Sequence, residues 1–272
     1  MTAEVPARAV PGTRGPDAMS RRDGGRSSLV WDVLARVIAE RAAATGRTAL
    51  DIVDVGAGTG GFAVSLAGRG HRVTVVDPSP DALAAARWRA AEAGVTLTEV
   101  QGEATDLPAL LGQPAAGDRT DLVHGADLVI CHSVLEYVDS PPAALAAVAR
   151  VLRPGGTVSV VAANSVAAVL QRALAGKYAE ARALLPGAPA AGEAPGSAAT
   201  ARRFTLPELT ALIEGAGLRP GDAHGIRVFA SLLPGAAADP AAAEALRELE
   251  EAAASCPPLR DIAARLHVLG HG

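Results

Sequence analysis

The sequence predicts an α/β fold: a mostly parallel sheet of seven strands with helices on both faces. Three observations carry that reading. Short apolar, β-branched runs alternate with helical segments from Leu50 onward. The first run, "LDIVDV" (50–55), opens directly into the glycine cluster "GAGTGG" (56–61). The second, "RVTVVD" (72–77), ends on an acid, Asp77, 21 residues after Gly56. Folds of this kind bind ligands beyond the carboxyl ends of their strands, so the residues closing each strand are the ones to weigh.

Residues 1–28 are rich in Arg, Pro and Gly and hold no apolar run, so a disordered arm is expected there and not a secretory signal. "LVWDVLARVIAERAA" from Leu29 sets Leu29, Val33, Val37 and Ile38 near one helical face, opposite Arg36, Glu40 and Arg41. "LDIVDV" is a buried strand, and 60–68 is a helix. After the second strand, "SPDALAAARWRAAEAG" (79–94) is a helix with Ser79 at its N-cap, Pro80 at its first position and Gly94 just past its end. "VTLTEV" (95–100), "ADLVICH" (126–132) and "GTVSVVAAN" (156–164) are the third to fifth strands, with a helix over about 140–152 that stops before Pro154. The rhythm then changes. A helix is expected over about 166–185, a low-complexity loop over 186–200, and a helix over 205–217 with Thr205 as N-cap. "GIRVFASLL" (225–233) alternates like a strand, 239–254 is a helix, and "RLHVLG" (265–270) closes as a strand.

Hydrophobic residues make up 49% of the 272, enough for a large core, and aromatics only 3%, so that core is built from Ala, Val and Leu. A formal net charge of −4 excludes a strongly basic nucleic-acid binder. The pairs Arg21-Arg22 and Arg202-Arg203 suit either phosphate contact or a solvated face. Cys131 and Cys256 form no C-x-x-C, which points to reduced thiols and a cytoplasmic setting. No stretch reaches the roughly 18 apolar residues of a membrane helix; "VSVVAANSVAAVL" (158–170) is broken by Asn164 and Ser165. No Cys/His cluster has metal-ligand spacing and no nucleophile elbow is present, so no metal site is expected.

The glycine loop fits two ligands. Gly56-Ala57-Gly58-Thr59-Gly60-Gly61 satisfies G-x-G-x-x-G, the dinucleotide fingerprint. Counted from Asp54, the same residues fit the acidic-x-G-x-G-x-G loop that holds S-adenosylmethionine. Both ligands carry an adenosine ribose, so Asp77 as acceptor for two ribose hydroxyls serves either, and simple polarity at a helix approach is the other reading. The acids of "GEATD" (102–106), after the third strand, suit an adenine amino group.

Further along, "CHSVLEYV" (131–138) closes the fourth strand and "VLRPGG" (151–156) turns into the fifth. In series with "DVGAGTGG" and Asp77, these segments resemble the class I S-adenosylmethionine-dependent methyltransferases. The resemblance implies a Rossmann-like sheet with a C-terminal antiparallel strand, S-adenosylmethionine as cofactor, and methyl transfer as the reaction. It extends over roughly 26–268 to the enzymes that methylate a carboxylate on a modified tRNA wobble uridine, through "GGRSSLVW", "AGRGHRVTVVD", "CHSVLEYVDSP", "ALAGKY", "GIRVF" and "RLHV". It implies that Arg26 reaches the cofactor's carboxylate and that Gly56 and Ala57 line its methionine end, in a loop that includes Asp54 and Gly58. Asp77 would hold the ribose, Ala104 and Thr105 would face the adenine, and His132 would sit beside the cofactor. Four positions depart from that pattern: Ala57 replaces a glycine, Ala163 replaces an aromatic, Ala264-Arg265 stands for Arg-Tyr, and 186–200 replaces a lysine-rich stretch. On this reading 29–272 is one domain, with 29–164 serving the cofactor and 165–272 the acceptor.

Methyl transfer to a carboxylate needs no base, because the acceptor is already ionised at pH 7. It needs a cation to orient the acid, and Arg227 is the candidate, with an edge-strand arginine facing solvent as the alternative. A phenol or amine acceptor needs a base, and His132 is the candidate, with pocket packing as the alternative. Tyr137 and Trp31 read as pocket wall or core. The partners in view are tRNA or a small carboxylate or aromatic acceptor, with no membrane. A small-molecule methyltransferase and a non-catalytic cofactor-binding module stand as the competing readings.

Overall fold

The computed structural model describes residues 28–112, 125–185, 201–232 and 240–272. The sheet is built from β1 (Asp51–Val55), β2 (Arg72–Asp77), β3 (Thr98–Gln101), β4 (Ala126–His132), β5 (Leu152–Ala163), β6 (Arg219–Ile226) and β7 (Arg265–His271), in the order β3-β2-β1-β4-β5-β7-β6. The first five strands pair in parallel, and β7 runs antiparallel between β5 and β6. Strand order reverses between β1 and β4, which puts the ligand crevice beyond their carboxyl ends.

The helices are α1 (Ser28–Thr45), α2 (Gly61–Ala67), α3 (Pro80–Ala93), α4 (Leu107–Leu111), α5 (Pro141–Val151), α6 (Ser165–Leu174), α7 (Tyr178–Ala183), α8 (Leu206–Gly215) and α9 (Pro240–Ala254). Among the described residues no helix is long and apolar enough to cross a membrane. The sheet is covered on both faces, which is why its central strands are rich in Val, Ile and Leu on both sides of the pleat. Along β4, Leu128 and Ile130 pack with Val33, Leu34 and Val37 of α1. Val129 and Cys131, pointing the other way, pack with Leu145 and Val148 of α5.

Local chemistry sets several boundaries. Ser79 Oγ accepts the Ala82 N–H at 3.3 Å and Gly94 takes the left-handed cap of α3. Thr205 and Glu208 form a capping box at the start of α8. Three expectations are corrected. β3 starts at Thr98 and not at Val95, because the Val95 N–H closes α3 by donating to the Ala90 carbonyl at 3.0 Å. The single helix expected over 166–185 is two, broken at Gly176 with φ 73°. The strand expected over 225–233 lies earlier: β6 ends at Ile226, and 227–232 is turn. There the N–H groups of Val228, Phe229 and Ala230 all donate to the carboxylate of Glu250 on α9, at 2.6, 2.8 and 2.6 Å. Amides converging on one carboxylate cannot also extend a sheet ladder. The expected arm, Arg21 and Arg22, and the loop over 186–200 lie outside the described residues, apart from Ser28.

At the amino ends of the strands sits a buried charge network. Asp127 Oδ2 accepts from Arg47, Arg153 and the Asp51 backbone N–H at 2.8, 2.7 and 2.9 Å, and Oδ1 accepts from Arg41 at 3.1 Å. Asp51 is gripped by both Nε and Nη2 of Arg72, at 2.6 and 2.9 Å. The network joins the starts of β1, β2, β4 and β5 at the end of the sheet opposite the glycine loop.

Candidate active site

The crevice begins with the turn that leaves β1. Gly56 adopts φ 63°, and a Cβ built on it would lie 2.6 Å from Val134 Cγ2. A side chain is therefore excluded twice, by backbone conformation and by space. Gly60, also left-handed, lets α2 approach Ala86 of α3, whose Cβ would stand 2.9 Å from an added one. The loop is tied to the end of β2 through Asp77: Oδ2 accepts the Gly58 N–H at 3.0 Å and Oδ1 accepts the Ser79 N–H at 2.9 Å. Each carboxylate oxygen has a second lone pair, so Asp77 can organise the loop and still accept a hydroxyl.

Two cavities flank this loop and meet at Gly56 and Ser133. One, of about 310 Å³, is lined by Asp77, Gly102, Glu103, Ala104, Val134 and Tyr137 among others. The second, of about 330 Å³, is lined by Asp54, Ala57, Phe62, His132, Arg227 and Arg265 among others. The first has the acids and apolar wall suited to a nucleoside. The second carries guanidiniums.

The second cavity is held in an unusual backbone state. Among the described residues only two non-glycines have positive φ, Ser133 and Arg227, each at 59°, and both line it. Such conformations persist where surrounding contacts over-determine them. Glu250 holds the turn after Arg227, and Arg265 Nη1 donates to Ser133 Oγ. Pairing of Ile226 with Arg265 sets Arg227, the first residue past β6, beside Arg265 at the start of β7, and both line the cavity wall.

His132 closes β4 with its ring edge-on to Phe62, centroids 5.0 Å apart, and Phe62 packs in turn on Trp31 at 4.6 Å. Its Nε2 lies 2.8 Å from Ser159 Oγ. Cys131, the residue before it, is no nucleophile: burial first, then the charges of Glu136 and Asp54, push its thiol up to about 12.

Of the residues singled out from the sequence, Asp54, Gly56, Ala57, His132 and Arg227 line the second cavity, and Gly56, Asp77 and Ala104 line the first. Gly58 acts through Asp77. Thr105 is exposed in the short 3-10 turn and lines neither cavity, because in that turn it is Ala104 that is buried. Arg26 lies outside the described residues. Arg202 is exposed and also donates to the carbonyls of Val138 and Asp139, the latter at 2.9 Å, and so pins the segment that carries Tyr137. Tyr137 itself, 75% exposed, stands at the rim. Sequence reading named Arg265 only as a departure from the family pattern and passed over Ser133, Ser159 and Glu250. A hint of Arg265 was present, as the basic residue opening the last strand, but nothing local marks the others.

The residues present fit S-adenosylmethionine. A glycine turn with no room for a Cβ at Gly56 or Gly60, an acid at the end of β2 and a buried acid, Asp54, at the loop's entry match the cofactor's backbone-hugging chain, ribose diol and amino group. Comparison with known proteins agrees. Residues 53–158 match the family model of a methyltransferase domain. The chain is 31% identical over 163 residues to the tRNA 5-carboxymethoxyuridine methyltransferase of Escherichia coli (strain K12), covering 59% of this chain and 57% of that enzyme. It is 30% identical over 177 residues to a ubiquinone biosynthesis O-methyltransferase of Xylella fastidiosa, covering 65% and 63%. The matches therefore span less than two thirds of either relative's length. A S-adenosylmethionine-dependent methyltransferase from Methanosarcina mazei shares the fold, with a TM-score of 0.51 at 17% identity over 83% of this chain and 93% of that one.

Proposed function

We propose that this chain, whose residues 53–158 match the family model of a methyltransferase domain, is a class I S-adenosylmethionine-dependent methyltransferase that methylates a carboxylate oxygen, and that the acceptor is 5-carboxymethoxyuridine at a tRNA wobble position. The observation that carries the carboxylate is the pair of guanidiniums, Arg227 and Arg265, on the wall of the cavity that also holds Asp54 and His132. The 31% identity to an enzyme named for that nucleoside supports the tRNA.

When bound, S-adenosylmethionine supplies a methyl group on a sulfonium sulfur, an electrophile with a neutral leaving group. Asp77 and the glycine loop hold the nucleoside end, and Asp54, Gly56 and Ala57 hold the methionine end. Arg227 grips the acceptor acid through parallel N–H donors, fixing one oxygen for in-line attack, and Arg265 adds a second positive charge. Orientation of this kind is worth up to ~7–11 kcal/mol where alignment is good. The oxygen–carbon bond forms as the sulfur–carbon bond breaks, giving an ester and a thioether, with no proton to remove. His132 is not required as a base, consistent with its Nε2 being engaged by Ser159.

A second reading, O-methylation of a small molecule, draws on the relatives named for ubiquinone biosynthesis and on the net charge of −4, which disfavours phosphate-driven docking. Purified protein offered unfractionated tRNA from a strain lacking the gene should place labelled methyl in an alkali-labile ester, located by nucleoside mass spectrometry. Label on small phenols alone would favour the second reading. Arg227→Lys should keep cofactor affinity and lose at least about tenfold in turnover on the acid, the loss of a charge-assisted bond of ~1.5–3 kcal/mol. Normal turnover in that variant would remove Arg227 from the acceptor site.

A further inference from the structure

On the α1-covered face of the sheet, a row of polar side chains crosses four strands. His132 Nε2 on β4 lies 2.8 Å from Ser159 Oγ on β5, and Ser159 Oγ lies 2.9 Å from His267 Nε2 on β7. His267 is stacked on His224 of β6, with ring centroids 5.4 Å apart and planes at 23°. His267 and Ser159 are both completely buried. Among the described residues the Nδ1 atoms of His267 and His224 have no hydrogen-bond partner. Only His132 of these four reaches the cavity lined by Arg227 and Arg265.

One hydroxyl proton between two ring nitrogens forces a choice of direction. If His132 donated from Nε2, Ser159 would donate on to His267 Nε2, and the His267 proton would sit on Nδ1. That is a buried N–H with no acceptor, the kind of orphan that folded proteins almost never keep. In the reverse direction the His267 Nε2–H donates to Ser159 Oγ, the Ser159 hydroxyl donates to His132 Nε2, and His267 Nδ1 is left only with an unpaired acceptor. A charged His267, with N–H on both nitrogens, is also disfavoured: burial, then the neighbouring His224, push its pKa down to about 3 against the opposing pull of Asp222.

We propose that His267 is a positioning residue that acts through Ser159 to fix His132 as the Nδ1–H tautomer, so that His132 serves the site as a hydrogen-bond donor and not as a base at Nε2. The assignment does not depend on which acceptor the enzyme uses. It gives "RLHV" a role beyond strand formation: its histidine sets the proton of a ring two strands away. Protonation of His132 at Nε2 would turn an acceptor into a donor facing a hydroxyl already oriented towards it, so the row also disfavours the imidazolium.

The test is nitrogen-15 NMR of histidine-labelled full-length protein, with the His132 signals assigned from a His132→Gln spectrum. In the wild type His132 should show a protonated Nδ1 and a bare Nε2. Ser159→Ala should release it towards the Nε2–H form that free imidazoles favour. His267→Phe should do the same, and His267→Gln, whose amide can still donate to Ser159, should restore the wild-type tautomer. S-adenosylmethionine affinity, measured on the same samples, should fall several-fold in the two releasing variants and recover in His267→Gln. A wild-type His132 protonated at Nε2, or a tautomer that ignores Ser159→Ala, would overturn the proposal even if a His267 variant failed to fold.

Discussion

Asp77→Ala is expected to weaken S-adenosylmethionine binding by well over tenfold, and Asp77→Asn by less. Two losses combine in the alanine variant. Hydrogen bonds from ribose hydroxyls to a carboxylate are each worth ~1.5–3 kcal/mol. The same carboxylate accepts the Gly58 and Ser79 N–H groups at 3.0 and 2.9 Å, so its removal also frees the glycine loop from the end of β2. Asparagine keeps one acceptor oxygen for one of those contacts and sets an NH₂ against the other. Calorimetric titration of the three proteins gives the ordering directly. An alanine variant that binds as tightly as the wild type would remove Asp77 from the cofactor site.

Asp127→Ala is expected to cost about 3 kcal/mol of stability while leaving cofactor affinity intact. Breaking a buried ion pair by deleting one partner costs ~3–5 kcal/mol, because the remaining charge is stranded. The lower end applies here: the Arg41, Arg47 and Arg153 side chains keep 16, 33 and 15% exposure, and Asp51 still pairs with two of them. For a domain of this size the melting temperature should fall by roughly 6–12 °C. The network lies at the amino ends of the strands and the cofactor loop at the carboxyl ends, so stability and binding should separate. A matching fall in cofactor affinity would mean that the two ends are coupled.

The same network makes an acid-stability prediction. Burial pushes the Asp51 carboxyl up, but hydrogen bonds from Arg72, Arg153 and Arg47 more than reverse this and hold it below its ordinary value. A depressed folded pKa contributes stability that is complete above the unfolded value of ~3.9 and disappears as pH falls through the folded one. Denaturant midpoints should therefore be insensitive to this group above about pH 5 and drop below about pH 4, less steeply in Arg72→Ala.

What the sequence determined by itself is the half of the molecule whose information is local. β1, β2 and β4 are buried on both faces along most of their length, so each reads as a short run rich in Val, Ile and Leu, the pattern of a central strand. The glycine loop was legible because a left-handed φ and a lost Cβ are demanded at fixed spacing, and Asp77 because it ends a strand beside that loop. Tertiary structure decided the rest. Arg227 reads as a strand residue in an alternating pattern, yet Glu250, 22 residues from Val228, captures the amides that would have continued the ladder and turns the chain at Arg227. Arg265 reaches the cavity only because β7 inserts antiparallel between β5 and β6. His132, Ser159 and His267 are separated by 27 and 108 residues, and periodicity says which face a side chain takes but not which neighbour it meets there. Strand order settles that meeting. It is set by how seven strands share one buried sheet, a property of the whole chain that no window of sequence contains.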